Sequence, residues 1–147
     1  IVVFIDADYS DYPTELVKLV DPIINGAADM VIGSRNLGIK EPGSMMPQQI
    51  FGNWFATKLI SYLYGTDYTD LGPFRAIKYE ALMRLKMDDK TYGWTVEMQI
   101  KAIKNKLNIQ EVAVNYRKRI GISKVSGTFK GTVLAGYKII STIIKYI

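Results

Sequence analysis

Apolar and polar positions fall in blocks along this chain, and the period changes from block to block. Ile1-Val2-Val3-Phe4-Ile5 is an unbroken apolar run that stops at Asp6-Ala7-Asp8, the pattern of a strand buried on both faces of a parallel sheet. Asp11-Tyr12-Pro13-Thr14-Glu15 marks a helix start, with proline early and an acid in the first turn. Leu16, Val17, Leu19, Val20, Ile23 and Ile24 supply the apolar face of that helix, and Asn25-Gly26 closes it. Asp29-Met30-Val31-Ile32-Gly33 then reads as a second buried strand leading to Ser34-Arg35-Asn36, which completes a βαβ unit.

Residues 37 to 48 carry two glycines, two prolines and two methionines, which predicts a mobile loop able to act as a lid. From Gln49 to Tyr64 the positions Ile50, Phe51, Trp54, Phe55, Leu59 and Leu63 recur at helical spacing, and Gly65 is placed to end the helix. Its aromatic residues are expected in the core. A polar turn follows, then Gly72-Pro73 and a strand over 74–77, a short helix over 79–85, and a helix whose Val96, Ile100, Ile103 and Leu107 share one face. Residues 109 to 116 alternate, as in a strand with one wet face. In the tail from Lys130 to Ile147, Val133, Leu134, Tyr137, Ile140, Ile143, Ile144 and Ile147 lie on one side, with Lys130, Lys138 and Lys145 elsewhere. Two placements fit that pattern: packed against the domain, or lying on an anionic membrane surface.

Length and composition describe one α/β domain over residues 1–147, with 48% hydrophobic and 22% charged residues, enough to build a core. The chain opens inside what reads as a central strand, so it is expected to be the C-terminal portion of a catalytic domain whose N-terminal half lies elsewhere. It contains no cysteine and no histidine, which removes thiol chemistry, histidine bases and histidine metal sites. Carboxylates, hydroxyls, Lys/Arg and backbone groups remain. The net charge of +5 favours an anionic partner. No run reaches the roughly 18 apolar residues of a spanning helix.

The candidate chemistry starts where the first strand stops. Side chains at i and i+2 of an extended segment project to the same side, so Asp6 and Asp8 can converge on one cation, beyond a strand end where ligands of α/β sheets collect. Two hard oxygen donors suit Mg²⁺ or Mn²⁺. A turn that merely uses aspartates gives the same letters.

The order of the motifs resembles the family-2 glycosyltransferases, in particular the branch with dolichol-phosphate mannose synthase and bacterial polyprenyl-phosphate glycosyltransferases. The resemblance rests on Val3-Phe4-Ile5-Asp6-Ala7-Asp8 as a DxD motif, on residues 28–35 ending in Ser34-Arg35, and on Asp70-Leu71-Gly72-Pro73-Phe74-Arg75-Ala76. It continues through Tyr92-Gly93-Trp94-Thr95-Val96-Glu97-Met98 and the basic run Arg117-Lys118-Arg119-Ile120-Gly121-Ile122-Ser123-Lys124. It implies a GT-A fold with a Rossmann-like mixed sheet, a nucleoside-diphosphate sugar donor, a polyprenyl or dolichyl phosphate acceptor and inversion at the anomeric carbon. Asp6 and Asp8 would hold the metal, with Arg35, Arg117 and Lys124 around the phosphates. Asp70, Arg75 and Glu97 would carry the catalytic roles, and Ser10 falls where some relatives offer a further polar ligand. A lipid acceptor implies a cytoplasmic domain at the inner face of a membrane. If that acceptor is a phosphate it is already an anion, so it needs positioning more than deprotonation.

Two other classes fit part of the pattern. Asp6-x-Asp8-x-Ser10 also matches the nucleophile motif of haloacid-dehalogenase-like phosphatases, with Asp88-Asp89 as a later acidic pair. The positive charge and interleaved tyrosines fit a basic binding module, but no RNP, KH or helix-turn-helix pattern supports nucleic acid as partner.

Overall fold

The computed structural model describes residues 1–121 and 128–147. Its elements are β1 (Val2–Phe4), a 3₁₀ turn (Pro13–Glu15), α1 (Leu16–Ile24), β2 (Met30–Ser34), α2 (Pro47–Tyr64), β3 (Arg75–Ile77), α3 (Tyr79–Leu85), α4 (Trp94–Lys104), β4 (Ile109–Ala113) and α5 (Phe129–Lys145). The four strands form one mixed sheet in the order β1-β3-β2-β4. β3 runs antiparallel to both neighbours, pairing Val2 and Met30 with Ile77 and Phe4 and Ile32 with Arg75. β4 is parallel to β2 from Met30↔Ile109 to Ser34↔Ala113.

The mixed sheet implied by the resemblance is present, and only the reading of the first strand as part of a parallel sheet is corrected, since β1 pairs antiparallel with β3. β1 and β2 point the same way but are not neighbours, because β3 lies between them. β1 is an edge strand of the described sheet and only half-buried, whereas all five residues of β2 are buried.

Alternation along the strands divides the core into two layers. Val31 and Ala76 face α1, where they pack with Leu19, Ile23, Phe74 and Val114. Met30, Ile32 and Ile77 face the opposite side and pack with Ile60, Val96, Ile100 and Ile143 from α2, α4 and α5. Helices on both faces explain why β2 is buried throughout.

Several expected faces differ. α1 buries Leu19 and Ile23, while Val17 and Ile24 are exposed, since a single helix stripe meets the sheet. α2 turns Asn53, Ala56, Thr57 and Ile60 inward and leaves Ile50, Phe51, Trp54 and Phe55 exposed, so its aromatic residues are not core. α5 packs through Ile139, Ile143 and Tyr146, and Val133, Leu134, Tyr137 and Ile144 stay exposed. Two of its lysines are turned toward the domain: Lys138 pairs with Asp89 at 3.1 Å and Lys145 lies 3.8 Å from Asp88. The 37–46 loop is tied along residues 39–41, where Tyr116 N donates to Ile39 O, Glu41 N to Tyr116 O and Lys118 N to Glu41 Oε2. Gly38 has no room for a Cβ, which would run into the Val114 backbone.

Candidate functional site

β1, β2 and β4 run parallel, so their C-terminal ends, and the segment entering β3, gather at one end of the sheet. There Asp6, Asp8, Arg35 and Arg119 line a cavity of about 750 Å³.

Arg35, just past β2, forks onto Asp70. Its Nε donates to Oδ2 at 2.8 Å and its Nη2 to Oδ1 at 2.6 Å, while the Arg35 backbone N donates to Oδ2 at 2.8 Å. Burial alone would push the Asp70 carboxyl up, but Arg35 and the Gly72 amide outweigh it and hold it below the usual carboxylate range. Arg35 is shifted upward, its own burial being outweighed by Asp70.

The segment carrying Asp70 is held from several sides. Glu111 accepts from Thr69 N, Thr69 Oγ1 and Asp70 N. Asn53 accepts from Leu71 N and donates to Thr69 O, and Gln99 donates to Asp70 O. Arg75 closes the set: its side chain is fully buried, and it donates to Gly72 O at 2.5 Å and Thr95 O at 2.9 Å. Its guanidinium carbon lies 5.1 Å from the Trp94 ring centre. Burial lowers its pKa to about 10, and it binds backbone carbonyls, not a ligand in the cavity.

The Asp6–Ser10 turn is closed by the basic segment. Asp8 Oδ1 accepts from Ser10 N at 3.0 Å and from Ser10 Oγ, and Oδ2 pairs with Arg119 Nη2 at 2.6 Å. Burial works to raise Asp8, but the Ser10 hydrogen bonds and Arg119 leave it lowered. Asp6 is raised, by burial first and by the charge of Asp8 next. A carboxylate raised by the charge of its neighbour, as Asp6 is by Asp8, marks a place where a cation is favoured. Asp11 lies 2% exposed, neither carboxyl oxygen meets a hydrogen-bond donor among the described residues, and burial pushes it up to about 6. The oxygen donors of Asp6, Asp8 and Ser10 fit Mg²⁺ or Mn²⁺, ions that retain water and phosphate oxygens as further ligands. Among the described residues no group of three or more His, Cys, Asp or Glu is arranged as a complete cage.

Arg117 takes a different position from Arg119. It donates to Tyr9 O at 2.6 Å, and its guanidinium lies 3.2 Å from the Tyr9 ring centre and 4.3 Å from that of Tyr12. Tyr9 has φ +74°, a strained backbone for a residue with a side chain, and Arg117 clamps it. Lys124 lies outside the described residues.

Glu97 stands apart from the cavity, 0% exposed in α4. Its carboxylate accepts from Asp88 N, Asp89 N and Tyr146 Oη and pairs with Lys101 at 2.7 Å. Burial would raise it, but these donors bring its pKa down to about 2. Asp88 and Asp89 pair with lysines of α4 and α5, and Asp89 lines a separate cavity with Phe4, Met83 and Trp94. They do not join Asp6 and Asp8 as a phosphatase pair would.

The structure thus gathers Asp6, Asp8 and Arg35, adds Asp70 through Arg35, and leaves Arg75 and Glu97 outside the cavity. It brings in Arg119, Asn53, Gln99 and Glu111, which the motifs did not single out as site residues. For Arg119 the available signal was its i, i+2 relation to Arg117. Away from the carboxylates the same cavity runs between α2 and α5, where Phe51, Phe55, Ala56, Gly136, Ile139 and Ile140 form an apolar wall.

Fold and site define a mixed α/β domain with acidic and basic side chains collected beyond the ends of its parallel strands. The family model described as Glycosyl transferase family 2 matches residues 1–86, and the chain belongs to that family. It is 30% identical over 142 residues to a polyprenol monophosphomannose synthase of Mycolicibacterium smegmatis, covering 87% of this chain and 50% of the relative. A UDP-N-acetylglucosamine–dolichyl-phosphate N-acetylglucosaminyltransferase of Methanococcus voltae is 37% identical over 119 residues, 78% of this chain and 47% of that protein. An undecaprenyl-phosphate mannosyltransferase of Micrococcus luteus is 31% identical over 145 residues, 89% of this chain and 55% of that protein. The chain spans about half the length of these curated relatives.

Proposed function

We propose that the full-length protein transfers a sugar from a nucleoside-diphosphate donor to a polyprenyl or dolichyl phosphate, with inversion. The observation that carries this reading is the lining of one cavity, which joins carboxylates and guanidinium groups to apolar side chains of α2 and α5. A phosphate on a lipid chain likewise joins a charged group to an apolar one. The names of the relatives support the reading from a separate direction.

Asp6 and Asp8 are the residues to hold Mg²⁺ or Mn²⁺. That ion supplies neutralisation of the charge building on the leaving diphosphate. Arg35, oriented by Asp70, and Arg119 present guanidinium groups to phosphate oxygens in the cavity, with Arg117 and Lys124 belonging to the same basic segment. An acceptor phosphate is an anion near neutral pH, so no general base is required of a chain without histidine. Arg75 then acts by holding the Leu71–Gly72 turn against α4, and Glu97 by fixing α4 to the 88–89 loop and α5, which makes both positioning residues. The exposed Phe51, Trp54, Phe55, Val133 and Leu134 on the helices flanking the cleft form an apolar surface suited to the inner face of a membrane. Among the described residues no helix is long and apolar enough to cross one.

The test is an assay of the full-length protein with a panel of nucleotide sugars and polyprenyl phosphates. Sugar–lipid product with release of nucleoside diphosphate is expected, with Asp6→Asn and Asp8→Asn each lowering turnover on the order of 100-fold at unchanged Tm. Phosphate release from a phosphomonoester without sugar transfer would overturn the assignment.

A further inference from the structure

The cavity carboxylates are not equally available to a cation. Both oxygens of Asp8 are engaged, Oδ1 by the amide and hydroxyl of Ser10 and Oδ2 by Arg119 Nη2 at 2.6 Å. With both acceptor sites of Oδ1 taken by Ser10, a divalent ion taking Asp8 as a ligand binds at Oδ2 beside Arg119 Nη2, and it repels the guanidinium there. Cation and arginine therefore compete for one oxygen.

The chain around Arg119 is built for such an exchange. Arg117, two residues earlier, is fixed between the Tyr9 and Tyr12 rings and by its bond to Tyr9 O, and its backbone N donates to Ser10 O at 3.0 Å. That anchor keeps the segment at the turn whatever Arg119 does. Arg119 itself keeps 29% of its side chain exposed, borders the open cavity, and forms its ion pair with Asp8. A guanidinium released there faces the space in which phosphate oxygens would lie, and it binds them by paired N–H groups.

We propose that Arg119 exchanges partners: it caps Asp8 when no divalent cation is bound, and when a cation takes Asp8 it swings onto a phosphate of the ligand in the same cavity. Cation capture and phosphate binding are then coupled through one side chain. The identity of the phosphate ligand rests on the glycosyltransferase reading; the competition for Asp8 does not.

Mn²⁺ titration of the full-length protein by electron paramagnetic resonance, without nucleotide, tests the competition. Arg119→Gln removes the competitor and is expected to lower the Mn²⁺ Kd by about tenfold, a common size for coupling between sites. Lys118→Gln removes the same charge from the same segment without touching Asp8, and is expected to change the Kd less than about twofold. The second arm measures binding of UDP and GDP with Mn²⁺ and with chelator. The gain in affinity from Mn²⁺ is expected in the parent protein and in Lys118→Gln, and is expected to shrink in Arg119→Gln. Circular dichroism confirms that each variant is folded, and Arg119→Lys, which keeps charge but loses the fork, serves as a second variant.

Arg119→Gln binding Mn²⁺ no more tightly than Lys118→Gln overturns the exchange, as does a nucleotide gain that survives the loss of Arg119. The two readings fail separately. Tighter Mn²⁺ binding with no sugar transfer by the parent protein keeps the exchange and sinks the proposed reaction. Sugar transfer with unchanged Mn²⁺ binding does the reverse.

Discussion

Arg75 and Glu97 are charged groups sunk in the domain, and their surroundings say what each is for. Arg75 bonds to carbonyls of Gly72 and Thr95, whereas Glu97 collects Asp88 N, Asp89 N, Tyr146 Oη and Lys101. Glu97→Gln should destabilise the protein by about 2 kcal/mol at neutral pH, because a buried charge-assisted set loses its anion. The folded pKa of about 2 lies below the 4.5 of a free glutamate, so this stability is fully present above about pH 4.5 and is lost as pH falls toward 2. Thermal melts of parent and variant should converge through that window; parallel curves would refute the assignment. Asp6, Asp8, Arg35 and Asp70 were legible as residues because strand ends and their motifs announce them. Arg119 was not, since an irregular basic run does not say which guanidinium faces the carboxylates. The buried acceptors that occupy Arg75 come from backbone carbonyls, which no sequence pattern displays.

At the scale of elements, the boundaries were more legible than the faces. A helix over 79–85 was expected and α3 has those bounds, and the strand at 29–33 corresponds to β2 at Met30–Ser34. α2 misled because large apolar residues fall around its whole circumference, so periodicity alone names no inner face. What decides is its neighbour: the 69–71 segment needs the Asn53 amide and small side chains to approach closely. Asn53→Leu should therefore cost about 2 kcal/mol despite being more apolar, because Leu71 N and Thr69 O lose their buried partner. Urea unfolding measures this, and an unchanged midpoint would count against it. Gly38→Ala should be costly too, at roughly 2 kcal/mol or more, since the new Cβ meets the Val114 backbone and not a yielding side chain. A variant as stable as the parent would show that the 37–46 loop can back away from β4.

For the molecule as a whole, of the tail's two expected placements the structure has the packed one. α5 buries Ile143 and exposes Val133, Leu134 and Tyr137, so packing does not use up its apolar surface. The chain has two tryptophans, Trp94 against Phe4 at 5.2 Å between ring centres and Trp54 exposed on α2. In the full-length protein the emission difference between the parent and a Trp54→Phe variant reports Trp54, and that difference should shift to the blue on vesicles of anionic lipid. Emission that ignores vesicles would remove α2 from any membrane contact. The antiparallel β3 has a different consequence, for the order in which the chain is made. β1 leaves the ribosome before β3, and its hydrogen-bonding partner among the described residues is some 70 residues later, Val2 meeting Ile77. A parallel neighbour supplied by β2 would have arrived after about 30 residues, so the inserted strand more than doubles the wait. Closing so long a loop is slow, and the turn bearing Asp6 and Asp8 also waits for residues 117–120. Among the described residues the Asp6–Ser10 turn is thus one of the last parts to become ordered, and a product ending before residue 117 would carry the acidic pair without the basic segment that closes it.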